Sequence, residues 1–599
     1  MKVASFGLCV FVSVAFSGSL AAQGFLPGGL ESVELERIVP DTIVCDTEGR
    51  AALGNWEPYA SVLGTSVFLV ESNTFAENPT NPNTQRYAVT FQPVKGGDPV
   101  EGEAFFADDG TPYRGTINNY RQNGNPGRVA GDKRPGAKNF ITGAETSAHE
   151  FPEFQSDDRW NTGVIRNGRY GTVQTFELDP ETLEQKMLSK AFDAANGRLA
   201  EGDPGTDQIS RFGGDVAALD DGNFVVVVED RSKLHDPADK AAVAVIVAPD
   251  GSIVKDSFVV APGEIWCNVA AYQGGFCVRV GGLLKFYDNS GAPAGEVDQG
   301  SPAPVDPLGN PVVFDRSRGD GTRIAAHVNS PYVFLAGKVG SDVRIAVWDA
   351  RDLTVVAQAN VNELTEANGG SDAEDFRVAF DRVGLAADAL NRVVVAYEAA
   401  LPGLQPQTLV RVLAFDEEEL AFKYLTPSFF AFVNFDDGDV VDPLATPIRT
   451  FRPSVAVTTR EILVAAKGEI NGENDPALGA DTPAEANFYT VFAHPDPQDD
   501  PTTPAGGVVR TKFRRADAND DGKQDISDAV FHLSHLFLGG PRWNCEEGAD
   551  MNGDGKQDIS DPVFLLTHLF LGGAEPPPPY PDCGVGPEGV ECPESSCNA

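Results

Sequence analysis

Two twelve-residue stretches near the C-terminus carry the densest chemistry in the chain. The first places Asp517, Asn519, Asp521, Asp525 and Asp528 at positions 1, 3, 5, 9 and 12, with Gly522 at position 6. The second repeats the pattern 33 residues later with Asp550, Asn552, Asp554, Asp558, Asp561 and Gly555. Side-chain oxygens at this spacing, completed by the backbone carbonyl of position 7 (Lys523 and Lys556), form a cage for a hard cation. Calcium takes six to eight oxygen ligands, and the sharp turn at position 6 needs a residue free to adopt positive φ. Ca2+ is therefore the expected ion. Without it the four aspartates of each loop repel one another, so the segment is expected to be loose when calcium-free and compact when loaded.

Each loop runs into an apolar segment that predicts a helix, over 526–538 and 559–571, and each segment ends in Gly-Gly. An EF-hand has a helix on both sides of its loop. Here 511–516 is too short for an entering helix and 541–549 has no helical period. A loop followed by a single helix, twice over, resembles a type I dockerin. The resemblance covers about 90 of the 599 residues. It implies a calcium-dependent docking module that grips a cohesin-type partner on a scaffold or cell surface. In that family the residues just before the last calcium ligand contribute to partner recognition; here they are Ile526 and Ser527, and Ile559 and Ser560. Their identity in the two copies would let either helix present the same face. The chain departs from the family at loop position 8, where Gln524 and Gln557 replace an aliphatic residue, and in its cysteine-bearing insert and tail. The Phe-Leu-Gly-Gly helix ends and the Pro/Cys tail look like the form found in large secreted proteins of planctomycete-type bacteria.

The N-terminus points to export. Lys2, an apolar run over 3–16 and small residues over 19–22 read as a secretory signal, residues 1–22. No later segment approaches 18 uninterrupted apolar residues, so no membrane insertion is expected and the mature protein is expected to be extracellular or at the cell surface. Loss of the signal removes Cys9 and leaves seven cysteines, a number suited to an oxidising compartment. Cys267 and Cys277 flank a short turn and could bridge two neighbouring strands. Cys545, Cys583, Cys592 and Cys597 could form two bridges around the calcium module, with their connectivity open, which leaves Cys45 as the odd one. A formal net charge of −42 argues against nucleic acid and against anionic membranes, because such a surface repels phosphate.

The long middle of the chain has little helical period. Short Val/Ala/Phe runs broken by Asp-Gly, Gly-Gly and Asn turns predict a mainly β fold. Two elements recur. One is a small-residue strand, a turn and a strongly apolar strand, at 215–228, 268–280, 323–335, 383–396 and 454–465. The other is a strand that closes on an aspartate-led turn, at Asp179, Asp250, Asp288, Asp349 and Asp416. They alternate at intervals suited to four-stranded blades. Residues 55–95 add one blade and 130–185 a more degraded one. The expectation is a β-propeller of about seven blades over 23–494, a linker over 495–510, a small α dockerin-like domain over 511–573 and a Pro/Cys-rich tail over 574–599. No blade signature identifies a family.

If the small-residue strand is innermost, the apolar strand returns toward the face that usually carries sites. Glu71, Glu229 with Asp230, and Glu398 close three of these strands. They could form a carboxylate ring at the central pocket, usable for sugar binding, a second calcium or paired acid/base catalysis, or they could simply pair with neighbours. The propeller histidines His149, His235, His327 and His494 share no ligand spacing, and His535 and His568 read as helix-surface residues. The sequence reading is a secreted binding or adhesion protein whose propeller takes a possible carbohydrate ligand. The alternative is a polysaccharide-degrading glycoside hydrolase or lyase delivered by the calcium module. No catalytic residue is assigned.

Overall fold

The structure is a computed structural model. It describes residues 35–44, 58–78, 81–106, 110, 128–147, 169–194, 210–230, 241–263, 267–298, 303–314, 322–339, 342–362, 377–400, 407–432, 450–474, 483–499, 512–543, 545–554, 556–577, 579–581, 583–585 and 595–598. The chain divides into two compact units, Met1–Thr502 and Thr503–Ala599.

The first unit is a seven-bladed β-propeller. Its seven sheets are antiparallel, and each begins with a strand at the centre: Tyr59–Leu63, Arg128–Gly131, Ser210–Ala218, Cys267–Tyr272, Thr322–Ala326, Arg377–Ala387 and Thr450–Val457 in blades 1 to 7. Each of these inner strands touches the next, and the last touches the first, which closes the ring. Blade 7 takes its outermost strand, Arg37–Ile43, from the N-terminus, where it pairs with Pro483–Ala493. Arg37 pins the join. It pairs with Asp41, donates to Thr490 Oγ1 (3.1 Å) and to the Ala431 carbonyl (3.0 Å), and lies over the Phe492 ring.

Burial explains the sequence pattern. Second and third strands are packed on both faces by neighbouring blades, so they read as continuous apolar runs rather than as alternation. Phe224–Asp230 and Ala241–Val247 are buried at every position. Inner strands crowd one another at the centre, and glycine stands where two neighbours approach most closely. A Cβ on Gly131 would stand 2.3 Å from the Val62 carbonyl oxygen of blade 1, and one on Gly384 would stand 3.0 Å from the Pro453 carbonyl oxygen of blade 7. The aspartate-led turns all follow third strands. Asp288 shows why aspartate stands there: one carboxylate oxygen accepts from the amides of Ser290 (2.8 Å) and Ala292 (2.9 Å), turning the chain into the outer strand. Blade 2, the degraded one, replaces a single outer strand by two short ones, Gln185–Met187 and Phe192–Asp193. Blade 6 does the same with Ala421–Tyr424 and Phe429–Phe430.

One cysteine expectation is corrected. Cys267 and Cys277 are both buried thiols. The strand register sets Cys267 opposite Val280 and Cys277 opposite Ala270, so the two sulfurs do not face each other. A buried clamp also fastens the end of the propeller: Arg392 Nε donates to Asp388 (2.7 Å), and its other nitrogens reach the carbonyls of Thr459 (2.7 Å) and Asp496.

The second unit is small and α-helical at its centre. Helix α1, Ile526–Leu538, and helix α3, Ser560–Leu571, pack together, with a one-turn helix α2, Glu546–Ala549, between them. The sequence showed no helical period before the second loop, and α2 is too short to make one. Cys583 and Cys597 form a disulfide, and Cys545 is disulfide-bonded as well. Cys45 and Cys592 lie outside the described residues, as do His149 and His235. No helix among the described residues is long and apolar enough to cross a membrane.

Candidate functional site

The two loops adopt nearly the same local structure. In the first, Asp528 is fully buried and closes the loop, accepting the Asn519 amide on one oxygen (3.2 Å) and the Asp525 amide on the other (2.9 Å). In the second, the buried Asp561 accepts the amides of Met551 and Asp558, each at 2.8 Å. Asp517 accepts the amides of Asp521 and Gly522, both at 3.0 Å, and Asp550 accepts those of Gly553 (2.9 Å) and Asp554 (3.1 Å). Asn519 and Asn552 accept the amides of Asp521 and Asp554, which in turn accept those of Lys523 and Lys556. Gly522 takes φ of 86°, as the turn requires. Gly555 lies outside the described residues.

Asp525 caps α1 by accepting the Ser527 amide, and Asp558 accepts the Ser560 amide, both at 2.8 Å. Hydrogen bonds from the Ser527 and Ser560 hydroxyls, and then from these amides, hold both carboxyls below the usual range. Burial works the other way on position 12. Together with the charges of Asp517 and Asp521 it pushes Asp528 up to about 7. Burial, with Asp550 alongside, pushes Asp561 up to about 6. The donor set is oxygen only and fits calcium chemically. The carboxylates are drawn to the loop amides, and among the described residues no group of three or more His, Cys, Asp or Glu is gathered as a metal cluster.

The partner-recognition positions separate into two kinds. Ser527 and Ser560 are turned into their loops, their hydroxyls donating to Asp525 and Asp558 (2.6 Å each) and accepting from the side-chain amides of Asn519 (3.0 Å) and Asn552 (2.9 Å). Ile526 and Ile559 stand exposed, and they are not alone. Val530, Phe537 and Leu538 on α1 and Val563, Phe570 and Leu571 on α3 extend the same outward apolar stripe, the two phenylalanines each 64% exposed. Sequence reasoning missed these residues because both helices are apolar nearly all round, which blurs the period.

The three helix histidines differ. His535 lies against Trp543 (4.2 Å between rings), and His568 reaches the Tyr580 hydroxyl (3.2 Å). His532 is fully buried against Trp543 and 4.0 Å from the Asp561 carboxylate, and burial holds its pKa below the usual range. Its counterpart on α3 is Leu565, so the two halves differ there.

Of the two arrangements open to the propeller glutamates, a channel ring or pairing with neighbours, the structure shows the second. Glu71, Glu229 and Glu398 lie on second strands and are buried within the wall, not on the inner strands that line the channel. Glu398, for example, accepts the Arg452 amide of blade 7. A different polar group occupies the channel, near the start of the inner strands. The Tyr59 hydroxyl of blade 1 donates to Asp215 of blade 3 (2.8 Å), and the Val269 amide of blade 4 approaches the other Asp215 oxygen (3.4 Å). The Arg128 guanidinium of blade 2 covers the Tyr59 ring at 4.6 Å, with its Nε 3.7 Å from Asp215. Arg323 of blade 5 stands 5.8 Å from the same ring. Burial, and then the Asp215 charge, hold the Tyr59 phenol protonated well above its ordinary range. Sequence reading could not find this throat, since five blades each contribute one residue with no shared spacing.

At the other end of the inner strands, Lys133 and His327 meet. Burial lowers the Lys133 amine to about 8 and, with Lys133 close by, His327 to about 3.

No protein-family model and no curated protein matches the chain. Solved structures do. A Trypanosoma rangeli sialidase complex is 9% identical, with 77% of this chain and 57% of that one covered, at a TM-score of 0.35. A Hadza microbial sialidase is 13% identical, with 57% and 63% covered, at 0.34. The β-propeller domain of the Trilobed protease from Pyrococcus furiosus is 10% identical, with 72% and 93% covered, at 0.31. The chain thus spans less than two thirds of the two sialidase chains, and these likenesses concern fold alone.

Proposed function

We propose that this chain is an exported, extracellular binding protein: a propeller that takes a saccharide ligand, carried by a C-terminal module that binds two calcium ions and docks to a protein partner such as a cohesin-type scaffold. The observation that carries the docking reading is the duplicated apolar stripe, Ile526, Val530, Phe537 and Leu538 on one helix and Ile559, Val563, Phe570 and Leu571 on the other. Contiguous exposed apolar surface is costly in water and marks interaction surfaces. Asp517, Asn519, Asp521, Asp528 and the Lys523 carbonyl would hold one calcium ion, with Asp525 at position 9. Asp550, Asn552, Asp554, Asp561, the Lys556 carbonyl and Asp558 would hold the other. Bound there, the ion neutralises the crowded carboxylates and fixes each loop against its helix.

The test is capture of extracellular surface proteins from the producing cells by the full-length protein, with and without chelator. The expected result is calcium-dependent capture of one specific partner. It should survive either Phe537→Asp or Phe570→Asp and be lost in the double variant. Unchanged capture by the double variant would refute the docking reading. Release of reducing sugar from polysaccharide by the same protein would replace the binding reading of the propeller with the enzymatic one.

A further inference from the structure

The two loops share their ligand types but differ in how the C-terminal tail holds them. Position 4 is Asp520 in the first loop and Gly553 in the second, and both are left-handed, with φ of 57° and 73°. Glycine adopts that conformation without steric cost, whereas a residue with a side chain is disfavoured there. The Asp520 carboxylate performs a task that glycine cannot. Both its oxygens accept the Ser596 amide (2.9 Å each), and one accepts the Ser596 hydroxyl (2.7 Å). At position 8, Gln524 donates to the Pro581 carbonyl (2.8 Å). The side chain of its counterpart, Gln557, makes no hydrogen bond among the described residues. Gly553 instead faces Pro577, whose Cγ would stand 2.6 Å from an added Cβ. The Cys583–Cys597 disulfide joins the two grips on the first loop, since Cys583 lies just past Pro581 and Cys597 follows Ser596.

We propose that this disulfide-closed tail is a positioning element for the first calcium site, making that site tighter and slower to release its ion than the second. This rests on the reading of the two loops as calcium sites. The grips at positions 4 and 8 flank Asp521, Gly522 and Lys523, the turn that carries ligand positions 5 and 7. Calcium affinity in loops of this type is tuned by the rigidity of the site as well as by ligand charge. A turn already held in shape loses less conformational freedom when the ion arrives. The coupling is reciprocal: an ion that favours the held turn also favours the tail upon it. As calcium falls, the second loop would empty first while the first stays closed.

The experiment follows calcium release from the full-length, calcium-loaded protein after rapid mixing with a fluorescent chelator. Two phases of equal amplitude are expected, the slow one absent in Asp517→Ala and the fast one absent in Asp550→Ala. Gln524→Ala and Asp520→Gly should each speed the slow phase by about tenfold and leave the fast phase unchanged, since affinity differences of this kind fall mainly on dissociation. Asp520→Asn, which loses the charge but keeps an acceptor, should retain most of the slow release. The double variant Cys583→Ser/Cys597→Ser should behave like Gln524→Ala. A single phase, a slow phase that belongs to the second loop, or an unchanged slow phase in Gln524→Ala and Asp520→Gly would overturn the proposal and leave both calcium sites standing. Acceleration of both phases by these variants would mark the grips as structural and overturn it as well. Equal losses in Asp520→Asn and Asp520→Gly, with Gln524→Ala unchanged, would assign the effect to charge and overturn the grip. Absence of bound calcium would overturn the calcium reading, and this proposal with it.

Discussion

Lys133 on blade 2 donates a hydrogen bond to the Ala326 carbonyl on blade 5, 3.1 Å away across the central channel. The two strands are not neighbours in the ring, so this contact bridges the end of the channel opposite Tyr59. Burial favours the neutral amine and brings its pKa down to about 8. The folded value lies below that of the unfolded chain, so the cost of a buried ammonium is fully present below about pH 8 and is relieved as pH rises toward the unfolded value. Relative to Lys133→Met, the wild-type protein should therefore gain stability between pH 8 and 10. Urea melts of both proteins across that range would show the difference; a constant gap would refute it.

His327 supplies the acid counterpart. Its Nδ1 accepts the Asn329 amide at 3.2 Å, which requires an unprotonated nitrogen, and burial holds its pKa down to about 3. The stability it contributes is complete above the unfolded pKa of about 6.5 and declines as pH falls toward the folded value. The slope can reach about 1.4 kcal/mol per pH unit for one such group. His327→Gln, which keeps an acceptor, should flatten the loss of stability between pH 6 and 4. An equal slope in both proteins would show that other groups carry the acid sensitivity.

Calcium should act on one unit only. A ligand that binds the folded state at a hundredfold excess over its dissociation constant stabilises by about 2.7 kcal/mol. Calorimetry of the full chain is expected to show two transitions, with chelator lowering the melting temperature of the C-terminal unit and leaving the propeller transition in place. Asp517→Ala and Asp550→Ala should each remove one calcium equivalent. Calcium-insensitive melting would refute the metal reading of the loops.

The centre of the propeller should be intolerant of even one carbon. Gly131→Ala would force the inner strands of blades 1 and 2 apart, since the added Cβ falls 2.3 Å from the Val62 carbonyl oxygen. Overpacking of this kind costs about 1–3 kcal/mol. Gly274→Ala is the comparison: nothing lies within 4 Å of its Cβ, and only its φ of +88° opposes the change. The first variant should melt lower than the second.

Much of the architecture was legible in the sequence because burial between blades writes itself directly into composition. The apolar runs at 224–228 and 393–396, the small residues before them and the aspartates after the third strands each answer one physical demand. The register was not legible: Cys267 and Cys277 flank one turn, yet an offset of three residues in pairing keeps them apart. Nor was the difference between a wall and a channel. Glu71, Glu229 and Glu398 lie on the apolar strands the sequence pointed to, but second strands face neighbouring blades. The throat was hidden for a related reason: Tyr59, Arg128, Asp215 and Arg323 converge only once the ring has closed. In the C-terminal unit the loop spacing fixed the local hydrogen bonds in advance, whereas His532 escaped notice because its surroundings are a neighbouring helix and loop.

The closure of blade 7 gives the propeller a mechanical direction. Arg37 pairs with Phe492 and Ile43 with Phe488, so the chain enters and leaves this strand pair at the same end. Tension between the N-terminal side and the segment leading to the C-terminal unit would open that pair one rung at a time, the weak geometry of a zipper. The first rung is where Arg37 grips Thr490 and Ala431, and the departing segment is gripped in turn by Arg392. Under such tension these two arginines stand as the fasteners at the opening of that zipper.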